Sequence, residues 1–396
     1  MSVRLALALS LGLGLAFALT AAGQETIAYK LLPTVPDQTL DCDSAKHVGP
    51  IPHEGLVRLA DINRDGWLDL VTGAAAPFRL QIYLNAHGRF DPKPYWESAP
   101  TSDKDHVEVV DMNGDGWLDV SGMHETYCTL YFSRAGKFPK EPDWHTGIIA
   151  DTNQIQFGDF DGDGDLDILA SVRKPFRGPV IYVNRNGEIE REPSIMLAPE
   201  ADSETSVFGD YDLDGDLDIA SMLRNRIALF ENLGGGKFAA AVTLAPDYPG
   251  WTQRLYWQDI DGDRYPELFA ARGTWSVRSK GFESFYLKNE RGKLAREPAW
   301  RTPEMRGLHA FAFGDIDGDG DLDVAGANWV VGGGKFRGGF CLYLNDRGKL
   351  AEQPAWYTWA GKECHEIAFG DIDHDGDLDV VAAGVDGVHL FLNRLR

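Results

Sequence analysis

Basic side chains are scarce in this chain. Its 396 residues hold 38 Lys and Arg against 61 Asp and Glu, a formal net charge of −23 at pH 7. A surface that acidic repels a polyphosphate, which argues against nucleic acid as a partner. Cysteine is scarcer still: four residues are too few for a disulfide scaffold. No Pro- or Ser-rich linker interrupts residues 25–396, and no amphipathic stretch of helical period reaches a useful length. After residue 22 no apolar run is long enough to span a membrane. No nucleophile elbow, phosphate loop or zinc signature occurs, so no residue is assigned as catalytic.

What fills the chain instead is repetition. A nine-residue phrase crowded with carboxylates starts at Asp61, Asp111, Asp159, Asp210, Asp259, Asp315 and Asp371. Three copies read DFDGDGDLD, DIDGDGDLD and DIDHDGDLD, and the starts are spaced by 50, 48, 51, 49, 56 and 56 residues. One supersecondary unit is repeated seven times, which overrides the two or three domains that length alone suggests. Residues 25–396 form a single domain.

Charge says what the phrase is for. Two carboxylates ~4 Å apart repel by roughly 1 kcal/mol in water and about 4 kcal/mol near a protein surface. A loop carrying up to five of them needs a cation, and oxygen-only ligands suit Ca²⁺. Positions one, three, five and nine supply the side chains: Asp61, Asn63, Asp65, Asp69; Asp111, Asn113, Asp115, Asp119; and Asp159, Asp161, Asp163, Asp167. They continue as Asp210, Asp212, Asp214, Asp218; Asp259, Asp261, Asp263, Glu267; Asp315, Asp317, Asp319, Asp323; and Asp371, Asp373, Asp375, Asp379. Position seven adds a backbone carbonyl, and position six is Gly in six copies, allowing the sharp turn. Up to seven Ca²⁺ are expected. They would offset about 14 of the 23 excess negative charges. The fifth loop, DIDGDRYPE, should be the weakest: Arg264 replaces the turn glycine, Pro266 stands beside it and the closing acid is the longer Glu267.

EF-hand and dockerin loops begin with the same D-x-[DN]-x-D-G, but they close at position twelve and lie beside helices. Here the flanks alternate apolar with polar, as in VEVVD and LDVSG around the second copy, which is strand periodicity. A further aromatic-aliphatic strand follows in most units, ending at Asn (LQIYLN, VIYVN, CLYLN, HLFLN). An outer segment then carries Trp96, Trp144, Trp300 or Trp356, read as packing residues between units. Four antiparallel strands in units of about 50 residues close radially, so the expected fold is all-β, a seven-bladed β-propeller.

These residues carry a resemblance. The chain resembles the FG-GAP (VCBS-type) repeat family, related to the seven-bladed head of integrin alpha chains, over roughly residues 28–396. The family's Phe-Gly stands at Phe157-Gly158, Phe208-Gly209, Phe313-Gly314 and Phe369-Gly370, while its Gly-Ala-Pro half is only echoed at residues 73–77. The resemblance implies a calcium-binding propeller. It leaves the ligand open, because family members include adhesive heads, lectin-like modules and some polysaccharide-active enzymes.

The ends suggest how the ring closes and where the protein goes. The last unit stops at HLFLNRLR after its third strand, and IAYKLLP from Ile27 is expected to supply the fourth. Residues 1–22 read as a secretory signal peptide: Arg4, an apolar run from Leu5 to Leu19, then Thr20-Ala21-Ala22. The mature chain is therefore expected outside the cell or in the periplasm. Cys128 and Cys341 fall in third strands of blades that are not neighbours and are read as buried thiols, whereas Cys42 and Cys364 fall in adjacent loops near the closure and are the plausible pair.

Two sites for a partner emerge. By resemblance to integrin heads, the binding face lies opposite the metal loops. There the loops between second and third strands carry eleven bases, among them Arg173, Arg278 and Arg337, against the two acids Glu125 and Asp386. Trp251, Trp275 and Trp329 lie in loops expected on the same side. Stacking indoles beside Arg and Lys suit an extracellular carbohydrate or an acidic protein loop. The second site is a ring six residues before each metal loop: Asp105, Asn153, Glu204, Gln253, His309 and His365, with Gly55 in the first unit. A polar channel mouth is one reading. The alternative is a polysaccharide-active, lyase-like enzyme using His309 and His365 with Glu204 or Asp105 as acid or base.

Overall fold

The computed structural model describes residues 56–74, 78–100, 104–124, 127–147, 154–173, 177–244, 247–248, 251–273, 282–303, 308–328, 339–357, 364–384 and 387–393. Among them there is no helix. The strands form seven antiparallel meander sheets, with a two-stranded ribbon of Asn184–Arg185 and Glu188–Ile189 between the third and fourth strands of blade three, the propeller that the repeats predict. Blade one comprises Leu56–Ala60, Asp69–Ala74, Arg79–Tyr83 and Trp96–Glu97. Blade five comprises Trp251–Gln258, Glu267–Gly273, Phe285–Leu287 and Trp300–Arg301. Blade seven shows Cys364–Gly370, Asp379–Gly384 and Gly387–Phe391. The N-terminal strand expected to complete blade seven lies outside the described residues, as do the signal segment and Cys42.

Each metal phrase is the hairpin between first and second strands. Ala60 pairs with Asp69 in blade one and Gly370 with Asp379 in blade seven, so position nine opens the second strand every time. The seven phrases therefore share one face.

The core is divided rather than central. Seven apolar clusters form, and each draws its members from two neighbouring blades. The cluster of Val57, Leu70 and Tyr83 with Ile372, Val381 and Val388 joins the first blade to the last. The Phe-Gly pairs have a steric reason here. A Cβ on Gly209 would stand 2.3 Å from the Trp257 ring of the next blade, and one on Gly158 would stand 2.7 Å from Leu217. The outer tryptophans are packing residues, as expected. Trp96, Trp144 and Trp300 are buried, and their indole N–H groups donate across to Pro139 O, Ile189 O and Ala351 O of the following blades. Cys128 and Cys341 are buried, and burial pushes both thiols up to about 12. Cys364 is buried too, with its sulfur 3.3 Å from Glu366 O.

Candidate functional site

The metal loops share one backbone design. The position-one carboxylate accepts from the N–H of position six in every loop and, in five loops, also from position five, as Asp61 does from Gly66 (2.9 Å) and Asp65 (3.0 Å). Position five accepts from the N–H of position seven, as Asp65 does from Trp67 at 2.9 Å. Left-handed backbone occurs twice per loop, at position four as well as position six. At position six φ runs from 80° at Arg264 to 99° at Gly215. Position four takes the same hand even where it is Arg64 (62°), Leu213 (63°) or His374 (59°). Arg264 thus adopts the turn that glycine adopts elsewhere, and its N–H reaches Asp259 Oδ2 at 2.8 Å. The lost glycine does not open the fifth loop.

Position nine is a clasp. Its carboxylate is buried and uses both oxygens: Asp69 accepts from Ile62 N at 3.0 Å and from Asn85 N at 2.8 Å. Glu267 does the same, with Ile260 N at 3.0 Å and Asn289 N at 3.4 Å. Burial pushes these carboxyls up, Asp69 to about 6 and Asp119, Asp167, Asp218, Glu267, Asp323 and Asp379 to about 7, against the pull of their backbone donors.

The donor set fits a hard cation. In the third, fourth, sixth and seventh loops, carboxylate oxygens from positions one, three and nine lie within 4.8 Å of one another. Carboxylate oxygens that close repel one another, and a hard cation among them would offset that repulsion. The first two loops place Asn63 and Asn113 at position three, where each amide oxygen accepts from the position-five N–H at 2.9 Å. The fifth loop differs: its close group is Asp259, Asp261 and Asp263 at positions one, three and five.

One element of the site was legible only as a recurring letter. The Asn ending most third strands straps two metal loops together. Its Nδ2 donates to the position-eight carbonyl of its own loop and to the position-two carbonyl of the preceding loop. Asn232 reaches Leu217 O (3.1 Å) and Phe160 O (2.7 Å), and Asn345 reaches Leu322 O (3.0 Å) and Ile260 O (2.8 Å). Asn289 and Asn393 reach Tyr211 O and Ile316 O. Blade two carries Ser133 instead, and there Arg64 of the first loop lies over the Trp117 ring of the second, 4.2 Å from its centroid.

At the other end of the inner strands, the polar ring has a backbone cause. The register shifts between Lys104 and His106, Ser203 and Thr205, Thr252 and Arg254, Leu308 and Ala310, and Cys364 and Glu366. The extra residues are Asp105, Glu204, Gln253, His309 and His365, so five of the seven ring positions are β-bulges, which re-aim a side chain, while Asn153 and Gly55 lie outside the described residues. Glu204 Oε2 accepts from Thr252 N of the next blade at 3.0 Å. His309 Nδ1 lies 2.8 Å from His365 O, with the two rings 5.5 Å apart. Burial pushes the Glu204 carboxyl up to about 7, against the pull of Arg173 and Arg272.

Beside this ring the inner strands carry charge pairs that neither sequence reading of the channel mouth named. Arg58 grips Glu108 with two bonds of 3.0 and 2.6 Å and lies 3.4 Å from Glu366. Glu366 pairs with Arg254 at 2.5 Å, a contact between blades five and seven that crosses the axis. His106 Nε2 stands 2.5 Å from Glu108. Burial disfavours the Glu108 anion, but Arg58 and His106 outweigh it and bring the carboxyl down to about 2. The signal was present as charged letters in otherwise apolar inner strands.

The expected basic face is modified by its own neighbours. Arg177 pairs with Asp202 at 3.1 Å, Arg226 with Asp247, and Arg79 with Glu97 at 3.7 Å. Loops between blades and the outer strand of blade one thus neutralise several of the bases. Trp251 opens the inner strand of blade five, while Trp275, Trp329, Arg278, Arg337 and the side chain of Trp251 lie outside the described residues. Of the proposed ligand residues, the structure brings together His309 and His365; Arg173 acts on Glu204.

Comparison with known proteins supports the architecture. The FG-GAP-like repeat model matches residues 61–121 and 210–270. No curated protein matches the chain. Among solved structures, BBS1N in complex with ARL6DN, soaked with lead, aligns with TM-score 0.56 at 10% identity, covering 87% of this chain and 93% of that one. An Agrocybe aegerita lectin, described as specifically recognising non-reducing terminal N-acetylglucosamine, aligns with TM-score 0.50 at 16% identity, over 88% of this chain and 93% of its own. Identities that low establish the fold alone. With two segments that match FG-GAP-like repeats, seven equivalent carboxylate loops and seven blades in a ring, this chain is a seven-bladed β-propeller that contains FG-GAP-like repeats.

Proposed function

We propose that this protein is an exported, calcium-stabilised propeller that binds an extracellular carbohydrate or protein ligand on the face opposite its metal loops. The observation that carries the reading is the division of labour along the inner strands. One end of each strand runs into a carboxylate loop suited to Ca²⁺. The other end, in five blades, is broken by a bulge that turns Asp105, Glu204, Gln253, His309 or His365 out of the ladder. Bulges at one position in blade after blade are design features, and they gather polar side chains at one mouth. In sequence, Trp275 and Arg278, and Trp329 and Arg337, fall between the second and third strands of blades five and six, where they would add stacking and charge. The lectin and the ARL6DN-bound propeller are precedents for a ligand of either class on such a fold. Residues 1–22 are proposed to direct export.

A second reading is favoured by one feature. Glu204 is half-buried at the mouth with a carboxyl near neutrality and two arginines, Arg173 and Arg272, acting on it. That is the pairing of a general base with charge-neutralising groups that a polysaccharide lyase requires. A glycan array probed with the full chain, with and without Ca²⁺, followed by a turnover assay on every hit, tests both. Calcium-dependent binding without turnover supports the binding module. Turnover abolished by Glu204→Gln supports the enzyme. No glycan hit, together with no pull-down of an extracellular protein in Ca²⁺, would defeat the proposal.

A further inference from the structure

The fifth blade carries its own cation. Its third strand, Phe285–Leu287, runs directly into Lys288 and then the strap residue Asn289. The residue before the strap position elsewhere is Leu84, Phe132, Val183, Glu231, Leu344 or Leu392, so a base occurs here alone. Lys288 Nζ contacts the Asp261 carboxylate directly and lies 3.7 Å from Asp263 and 3.7 Å from Glu267. Those are positions three, five and nine of the fifth loop, three of the four side chains that hold the ion in the other copies.

The rest of the loop agrees. The fifth loop is the one whose close carboxylate group omits position nine, and Glu267 Oε1 is instead within reach of the ammonium. The backbone is closed like that of its siblings, with Arg264 N on Asp259 and Ile260 N on Glu267. An ammonium is a compact, hard cation with three donors, chemically suited to a carboxylate cage. A divalent ion among the same three carboxylates would stand beside that charge and be repelled by it. Lys288 is 30% exposed, so its stem reaches in from the side while its head enters the loop.

We infer that the fifth loop is held by the Lys288 ammonium and takes no calcium. The loaded chain then carries six ions, one fewer than its loops, and blade five keeps its loop closed when calcium is withdrawn. This rests on the calcium reading of the other six loops and replaces a weak seventh site by an occupied, metal-free one. The fifth loop's departures, Arg264 and Glu267, then follow as changes tolerated where no metal demands the full ligand geometry.

Metal counting on the full-length chain tests this. After equilibrium dialysis against micromolar free Ca²⁺, bound calcium per chain is compared among the wild type, Lys288→Met, Asp261→Asn and Asp317→Asn. The expected results are six ions in the wild type, six with Asp261→Asn, five with Asp317→Asn and a seventh ion with Lys288→Met. Lys288→Arg, which keeps the charge, should stay at six. Hydrogen exchange gives an independent measure: on adding chelator, residues 315–323 should lose protection while residues 259–267 keep it. Should Lys288→Met not fold, the contrast between Asp261→Asn and Asp317→Asn still decides. Seven ions in the wild type, falling to six with Asp261→Asn, would overturn the inference while leaving the calcium reading intact. A wild type that binds no calcium would overturn both.

Discussion

The side-chain amide of Asn85 donates to the backbone carbonyl of Ile372, 2.9 Å away and 287 residues later in the chain. This bond ties the first blade to the metal loop of the last. It is the same bond by which Asn232, Asn289, Asn345 and Asn393 tie their blades to the loops before them. Closure therefore uses the ordinary inter-blade joint, in addition to any latch from the N-terminal segment. The metal face is a ring of loops held to one another through these amides.

That joint gives the first prediction. Asn85→Ala removes donors to Ile372 O and Leu68 O and the acceptor for Gly88 N and Arg89 N. At about 1 kcal/mol net per buried bond, with more where a carbonyl is left unpaired, the loss should be about 2–4 kcal/mol. Ser133→Asn is the converse. Ser133 already accepts from Gly136 N as the asparagines do, and it lacks only the amide that would reach the first loop. It should gain about 1 kcal/mol. Urea unfolding in calcium measures both. An Asn85→Ala variant within error of the wild type would show that the strap is incidental.

Calcium should be a condition of stability. An ion bound only by the folded state stabilises it by mass action, and here several loops act together. Chelator should lower Tm by many degrees. Ca²⁺ should restore it better than Mg²⁺, which demands a tighter octahedral shell. Scanning calorimetry decides: identical melting curves with and without chelator are incompatible with metal-held loops.

His309 should make the fold sensitive to mild acid. Burial, with Arg254 and His365 adding to it, holds the ring well below its ordinary value. The folded ring therefore stays neutral where the unfolded one takes a proton. The folded state binds fewer protons, so stability is present above about 6.5 and falls as pH drops below that value. His309→Gln keeps a donor toward His365 O without titrating. Its stability in calcium should vary less between about pH 6.5 and pH 5 than that of the wild type. An unchanged slope would mean that other groups carry the acid response.

The face opposite the metal loops should carry the ligand. Trp275 and Trp329 occupy none of the repeated packing positions held by Trp96, Trp144 and Trp300. Replacing both by Ala should leave melting and calcium stoichiometry unchanged. Binding should weaken roughly tenfold or more if each contact is worth over ~1 kcal/mol. Wild-type affinity in the double variant would place the ligand elsewhere.

Much of this protein is determined locally, and so is legible in its residues. Two properties are local: the period of about 50 residues and the carboxylate phrase, with its glycine and closing acid. The phrase specifies the hairpin and an oxygen cage suited to a cation within nine residues of chain, and its recurrence about every 50 residues specifies the blade. The same holds for the Phe-Gly pairs and the outer tryptophans, which recur in register. Even so, the second left-handed position was hidden, because Arg64, Leu213 and His374 do not look like turn residues.

The tertiary structure decided what depends on partners one or more blades away. Arg58 finding Glu108, Glu366 crossing to Arg254, and Asn85 reaching Ile372 all require the ring to close first. The bulges that turn Glu204 and His309 out of their strands follow from pairing register, which one strand's letters do not carry. Lys288 shows the distinction most plainly. In sequence it is a base at the end of a strand, 21 residues past the acid that closes its loop. Only the folding of the third strand beside the hairpin of its own blade brings the ammonium among Asp261, Asp263 and Glu267, where a metal ion was expected.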